Sequence, residues 1–156
     1  MKIQDKKIIF VIAFLMLLIG CIGSPRAPKE EEDTAKKFVT DRDNSVIYIY
    51  RGWAQAARTF RLYIGDNLVG ESNNNSFFRI VNPPGMYTLT LTNVRNFTLD
   101  TLSISTEADK VYYVELKGNQ IFGSKLKLTL IENQEVAMQK IRQYSLLITG
   151  STAMDK

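Results

Sequence analysis

From Ser45 onward the polarity of the chain alternates with a period of two, in short runs cut by turn residues. That pattern restricts the fold more than any other feature, because successive side chains of a strand point to opposite faces. Tyr87, Leu89 and Leu91 alternate with Thr88, Thr90 and Thr92, and Leu126, Leu128 and Leu130 alternate with Lys125, Lys127 and Thr129. Phe60, Leu62 and Ile64 alternate with Arg61 and Tyr63, and further runs cover 68–70, 77–81, 97–105 and 111–116. Gly65-Asp66-Asn67 and Asn82-Pro83-Pro84-Gly85 carry turn chemistry, with Pro where φ is restricted and Gly where φ must be positive. Val46-Ile47-Tyr48-Ile49-Tyr50-Arg51 is apolar on both faces, as a strand covered by two layers requires. The expectation is a mainly β domain over 45–148: a small antiparallel β-sandwich of seven or eight strands. Asn133 is a fitting N-cap, and Ala137, Ile141 and Tyr144 share a helical face, which predicts one C-terminal α-helix before a tail at 149–156.

Residues 1–44 follow a different logic. Lys2, Lys6 and Lys7 precede an uncharged apolar run at 8–20, IIFVIAFLMLLIG, which suits a signal peptide and is short for a bilayer span of about 20 residues. It ends in Leu18-Ile19-Gly20-Cys21, which resembles the lipobox of bacterial lipoprotein signals. A small residue there lets a peptidase reach the scissile bond, and the Cys21 thiol accepts the lipid that survives cleavage. Cys21 is the chain's one cysteine, so an intramolecular disulfide is excluded. The expectation is a lipoprotein signal peptide at 1–20 and a lipid anchor, palmitate-like acyl chains included, on Cys21. An uncleaved N-terminal membrane helix is the alternative. The stretch 21–44 is charged, contains Pro and is nearly free of large apolar residues, which predicts a flexible tether with a reach of roughly 25 Å.

The formal charge of +4, from 20 basic and 16 acidic residues, shrinks once the leader is removed. Lys2, Lys6, Lys7 and Asp5 account for +2, and no dense basic run follows, so nucleic acid is not an expected partner. The chain has no histidine, which removes Ser–His and Cys–His catalysis and most zinc sites. Asp66, Asp100, Glu71, Glu107 and Asp109 are the carboxylates available for a glycosidase-like pair, a hydrolase reading that nothing in their spacing favours. No catalytic residue, metal ligand or cofactor is expected.

Trp53, the only tryptophan, lies between two strands and is flanked by Arg51, Arg58 and Arg61. Trp and Arg are enriched in binding hot spots, so this segment is the candidate partner-binding site. The alternative is that Trp53 closes the end of the sandwich while the arginines pair with Glu71 or Asp66. Tyr112 and Tyr113 fall on opposite faces of one strand.

Several of these features, taken in order, resemble a family of bacterial lipoproteins carrying a domain of unknown function. They are the V-I-Y-I-Y-R strand at 46–51, the strand–Gly–strand hairpin at 63–70, the Pro84-Gly85 turn into Met86-Tyr87-Thr88-Leu89, the Tyr112-Tyr113 pair, and Gly123 before a leucine-rich strand. The hairpin and the Pro-Gly turn are also similar to those of PEGA-type surface domains. The resemblance covers about 45–132 and departs at Tyr87, where family members usually carry His. It implies a fold and an address, with no activity attached.

The functional expectation is a membrane-anchored, non-catalytic binding module of the cell envelope, with a protein or glycan partner. A structural subunit of an envelope assembly is the second reading. Ile22, rather than Asp, follows Cys21, which favours the outer membrane, facing the periplasm, in a cell with two membranes.

Overall fold

A computed structural model of the chain describes residues 23–53, 59–118 and 126–150. The signal peptide, Cys21, Ile22, Arg58, Gly123 and 151–156 lie outside the described residues. Among the described residues the domain is mainly β, with nine strands in two sheets and two short helices. The strands are β1 (Ser45–Arg51), β2 (Phe60–Ile64), β3 (Asn67–Ser72), β4 (Ser76–Asn82), β5 (Gly85–Thr92), β6 (Thr98–Thr106), β7 (Lys110–Gly118), β8 (Leu126–Leu130) and β9 (Ser145–Leu146). One sheet has the order β8-β7-β1-β4-β9 and the other β3-β2-β5-β6.

All seven residues of β1 are buried, because this strand runs between two layers. Ile47 and Ile49 face the second sheet, where they meet Leu62, Leu89, Leu91, Phe78 and Val114 in the inter-sheet core. Val46, Tyr48 and Tyr50 face the opposite way, into a second cluster with Phe77, Tyr113, Ala137 and Ile141. Each such side chain contributes about 1.5–3 kcal/mol by leaving water, so the doubly apolar strand anchors both layers.

The second layer is helical. In α2 (Gln134–Ile141) the Asn133 side chain caps the Val136 N–H at 3.2 Å, and Ala137 and Ile141 are buried against the sheet. Tyr144 falls just past the helix.

Three expectations need correction. The sandwich is not wholly antiparallel: β1 pairs with β7, and β4 with β9, in parallel. The chain visits the sheets in turn, so β1 and β7 enter the larger sheet from the same end. The ninth strand has two residues, too few for an alternation to be visible. The largest change concerns the tether, which is folded from Gly23 on and includes α1 (Lys29–Ala35). Glu30, Glu31 and Glu32 complement the positive N-terminal end of this helix, and Lys29–Asp33 and Lys36–Glu32 pair one turn apart. Ala35 is its one buried residue; its carbonyl accepts the Tyr48 hydroxyl at 2.6 Å, and Glu32 accepts the Leu146 N–H at 3.0 Å. Phe38, held at φ 54 just after the helix, packs its ring 5.3 Å from Tyr48.

The segments at 24–27 and 146–150 seal one side of the sandwich. Arg26 pairs with Leu147, the Ala27 N–H donates to the Leu146 carbonyl, and the Ile148 N–H donates to the Pro25 carbonyl. Ser24 and Gly150 then bond to Glu71 and Val69 of β3. The exposed edge of β3, which would otherwise offer free backbone groups, is thereby occupied.

Candidate functional site

The ends of the sandwich are defined by two links between the sheets. The turn at 73–75 joins the end of β3 to the start of β4, and on the other side the Asp100 carboxylate accepts the Leu128 N–H at 2.7 Å. Both links lie at the end where β1 finishes, so Trp53, the turn at 73–75, the loop at 93–97, the end of β7 and the start of β8 share one end of the described domain. We call it the loop end.

The four residues of the sequence-predicted site separate there. Trp53 is 64% exposed, so it does not close the sandwich. Arg51 is only 2% exposed; its guanidinium lies 4.8 Å from the Phe60 ring centroid and 3.4 Å from the Ser72 carbonyl. Burial therefore takes Arg51 out of the accessible surface. Arg61 pairs with Glu71 at 3.0 Å and donates to the Asn96 side-chain oxygen at 2.9 Å. Arg58 lies outside the described residues.

Arg61 points to a second element that the sequence reading missed. The loop at 93–97 is organised by Asn93, whose side-chain oxygen accepts the N–H groups of Arg95 at 2.9 Å and Phe97 at 3.1 Å. Asn96 takes a positive φ of 61°, a conformation Asn tolerates. The loop is thus tied at both shoulders and carries Val94 and Phe97, 50% and 65% exposed, away from the core. A signal was present: Val94 and Phe97 break the alternation among Asn93, Arg95 and Asn96, and a loop has no need for two apolar residues.

The loop end also carries the exposed cations Arg95, Lys117 and Lys127. Its acids are engaged: Glu71 by Arg61, and Glu115, 9% exposed, by Lys140 at 2.7 Å and Lys117 at 3.8 Å. At the opposite end the turns hold Asp41, Asp43, Asp66, Glu107 and Asp109 against Arg42 and Lys110. The domain is polarised along its strands.

The carboxylates weighed for hydrolysis are scattered by this geometry. Asp66, Glu107 and Asp109 sit in turns at the acidic end, while Glu71 and Asp100 lie on opposite sides near the loop end and are each hydrogen-bonded. A shallow groove of about 430 Å³ between α1 and β9 is lined by Glu30, Glu31, Thr34, Arg79 and Leu146. Among the described residues, no group of three or more acidic residues could hold a metal ion, and no helix is long and apolar enough to cross a membrane. Tyr112 and Tyr113 do face opposite ways: the Tyr113 ring stacks 5.5 Å from Tyr48 under the helices, and the Tyr112 hydroxyl accepts the Glu107 N–H at 2.9 Å.

The family described as "Protein of unknown function (DUF2846)" matches residues 41–124, and the chain belongs to it. An uncharacterized protein of Haemophilus influenzae is 34% identical over 106 residues, which are 67% of this chain. The chain spans 62% of that relative's length.

Proposed function

We propose that this member of the DUF2846 family is a lipid-anchored, non-catalytic module of the cell envelope that works by contact through its loop end. The observation that carries the reading is the placement of Trp53. It is the chain's one tryptophan, it is exposed, and it lies at the same end of the sandwich as a braced loop bearing Phe97 and Val94. Exposed aromatic residues grouped on a rigid frame mark contact surfaces, because they bury large apolar area at small entropic cost.

The anchor rests on the lipobox Leu18-Ile19-Gly20-Cys21 behind its basic and apolar leader. Ile22 after Cys21 favours the outer membrane, facing the periplasm, where a cell has two membranes. The likeness to PEGA-type surface domains in the 63–70 hairpin and the Pro84-Gly85 turn fits the same address. A second reading, an obligate subunit of an envelope assembly, is favoured by the same exposed apolar residues.

A photoreactive residue placed at Trp53 in living cells tests the contact surface, with Thr90 on the outer face of β5 as control. Capture of an envelope component from Trp53 above the Thr90 background is expected. Equal capture at both positions would remove the loop end from consideration.

A further inference from the structure

Ser24 hydrogen-bonds to Glu71, and the backbone of Gly23 then passes so close to Asn73 that a Cβ there would lie 2.6 Å from its side-chain oxygen. Glu71 and Asn73 follow one another toward the turn at 73–75, so the chain, read backward from Ser24, heads for the loop end. Cys21 lies three residues before Ser24, and three extended residues span at most about 11 Å. A lipid on Cys21 would therefore be attached within that reach of Ser24, at the end of the domain that carries the exposed loop residues.

We infer that the loop end docks on the bilayer surface itself, with Trp53, Phe97 and Val94 entering the headgroup region and Arg95, Lys117 and Lys127 facing anionic lipid. The partner of this surface is thus the membrane that holds the anchor. This rests on the proposed lipidation of Cys21. Three observations converge on it. The chain exits toward the anchor at this end. The exposed apolar residues there include the one tryptophan, and amphipathic aromatic rings are at home at a membrane–water interface. The charge is also complementary: the loop end is basic where anionic headgroups would meet it, and the acidic turns lie at the far end. The domain then lies flush on the lipid, and its acidic end and the hydroxyl-bearing outer face of β5 and β6 are turned to the aqueous space.

Because Trp53 is the only tryptophan, its fluorescence reads this end alone. The full lipoprotein, extracted from cells, would be reconstituted into vesicles of phosphatidylethanolamine and phosphatidylglycerol, with and without brominated acyl chains. Docking predicts that Trp53 emission shifts to the blue, is quenched by the brominated lipid and is shielded from aqueous iodide. A protein that floats with the vesicles while Trp53 stays open to iodide and indifferent to brominated lipid would overturn docking and leave the anchor standing. Failure to float would remove the anchor, and docking with it. Crosslinking from Trp53 in cells to a protein or glycan rather than to lipid would also overturn the proposal.

Discussion

Ser24 and Glu71 exchange two hydrogen bonds: the Ser24 N–H donates to the Glu71 carbonyl at 3.2 Å, and the Ser24 hydroxyl accepts the Glu71 N–H at 2.8 Å. A segment whose composition reads as solvated linker is thereby made an edge partner of β3. The consequence is mechanical. The domain begins three residues after Cys21, with almost none of the chain between them left as a spacer.

Gly70 makes this docking possible. A Cβ at that position would lie 2.5 Å from the Ser24 hydroxyl oxygen and 2.8 Å from the Phe78 ring. Gly70→Ala is expected to cost about 1–3 kcal/mol of stability through overpacking. It should also loosen residues 24–27, read as faster amide exchange or earlier proteolytic cutting there. Unchanged protection at Ser24 in a folded Gly70→Ala protein would show that the edge contact does not depend on close approach.

Arg61 braces the loop at 93–97 through Asn96, while its pairing with Glu71 is partly solvent-exposed and worth little by itself. Arg61→Ala is therefore expected to change global stability by no more than about 1 kcal/mol. Its larger effect should be faster hydrogen exchange at 93–97. Asn93→Ala, which strips an acceptor from two backbone N–H groups, should show the same local loosening more strongly. Equal exchange in both variants and the parent would mean that the loop is held by other contacts.

Glu115 and Lys140 tie α2 to β7 at 2.7 Å, with the carboxylate almost fully buried beside Tyr50. Lys140→Met leaves that carboxylate short of a partner and is expected to destabilise by about 1–3 kcal/mol. Glu115→Leu with Lys140→Met should cost clearly less than the two single changes added together. Chemical denaturation of the three variants gives the coupling, and strict additivity would dismiss the pair as a structural link.

Alkaline pH should unfold the helical layer. Burial pushes the Tyr113 phenol from 10 up to about 12, with Tyr48 adding to the effect, and burial raises Tyr48 and Tyr50 as well. A pKa raised on folding contributes stability that is complete below 10 and is lost as pH climbs through about 12. Tyrosinate absorbance and circular dichroism should report a shared transition in that window, and Tyr113→Phe should move the loss of structure to higher pH. Tyrosinate appearing for these residues while the fold persists would contradict the burial argument.

Much of the fold is legible in the sequence where a period exists to be read. The eight longer strands are visible as alternation or, in β1, as an apolar run too short for a helix and apolar on both faces. Asn133, Ala137 and Ile141 mark α2. The features that escape are those held by one or two contacts. α1 buries Ala35 alone, so the charged stretch at 30–37 reads as at most a transient helix with no amphipathic stripe to fix it, and β9 is two residues long. The candidate site was half visible. The isolated Trp53 between strands is legible as a surface feature, whereas the fate of Arg51 depends on Phe60 and Ser72 closing over it from other strands. Phe97 and its brace were missed because Arg61 and Asn96 are 35 residues apart.

The central claim is that this domain is carried on a lipid at Cys21, and intact mass measurement of the protein extracted from membranes of producing cells tests it most directly. The account predicts a chain that begins at Cys21 and carries acyl mass, and a Cys21→Ser variant that lacks it. A chain that retains residues 1–20 with no added lipid would contradict it.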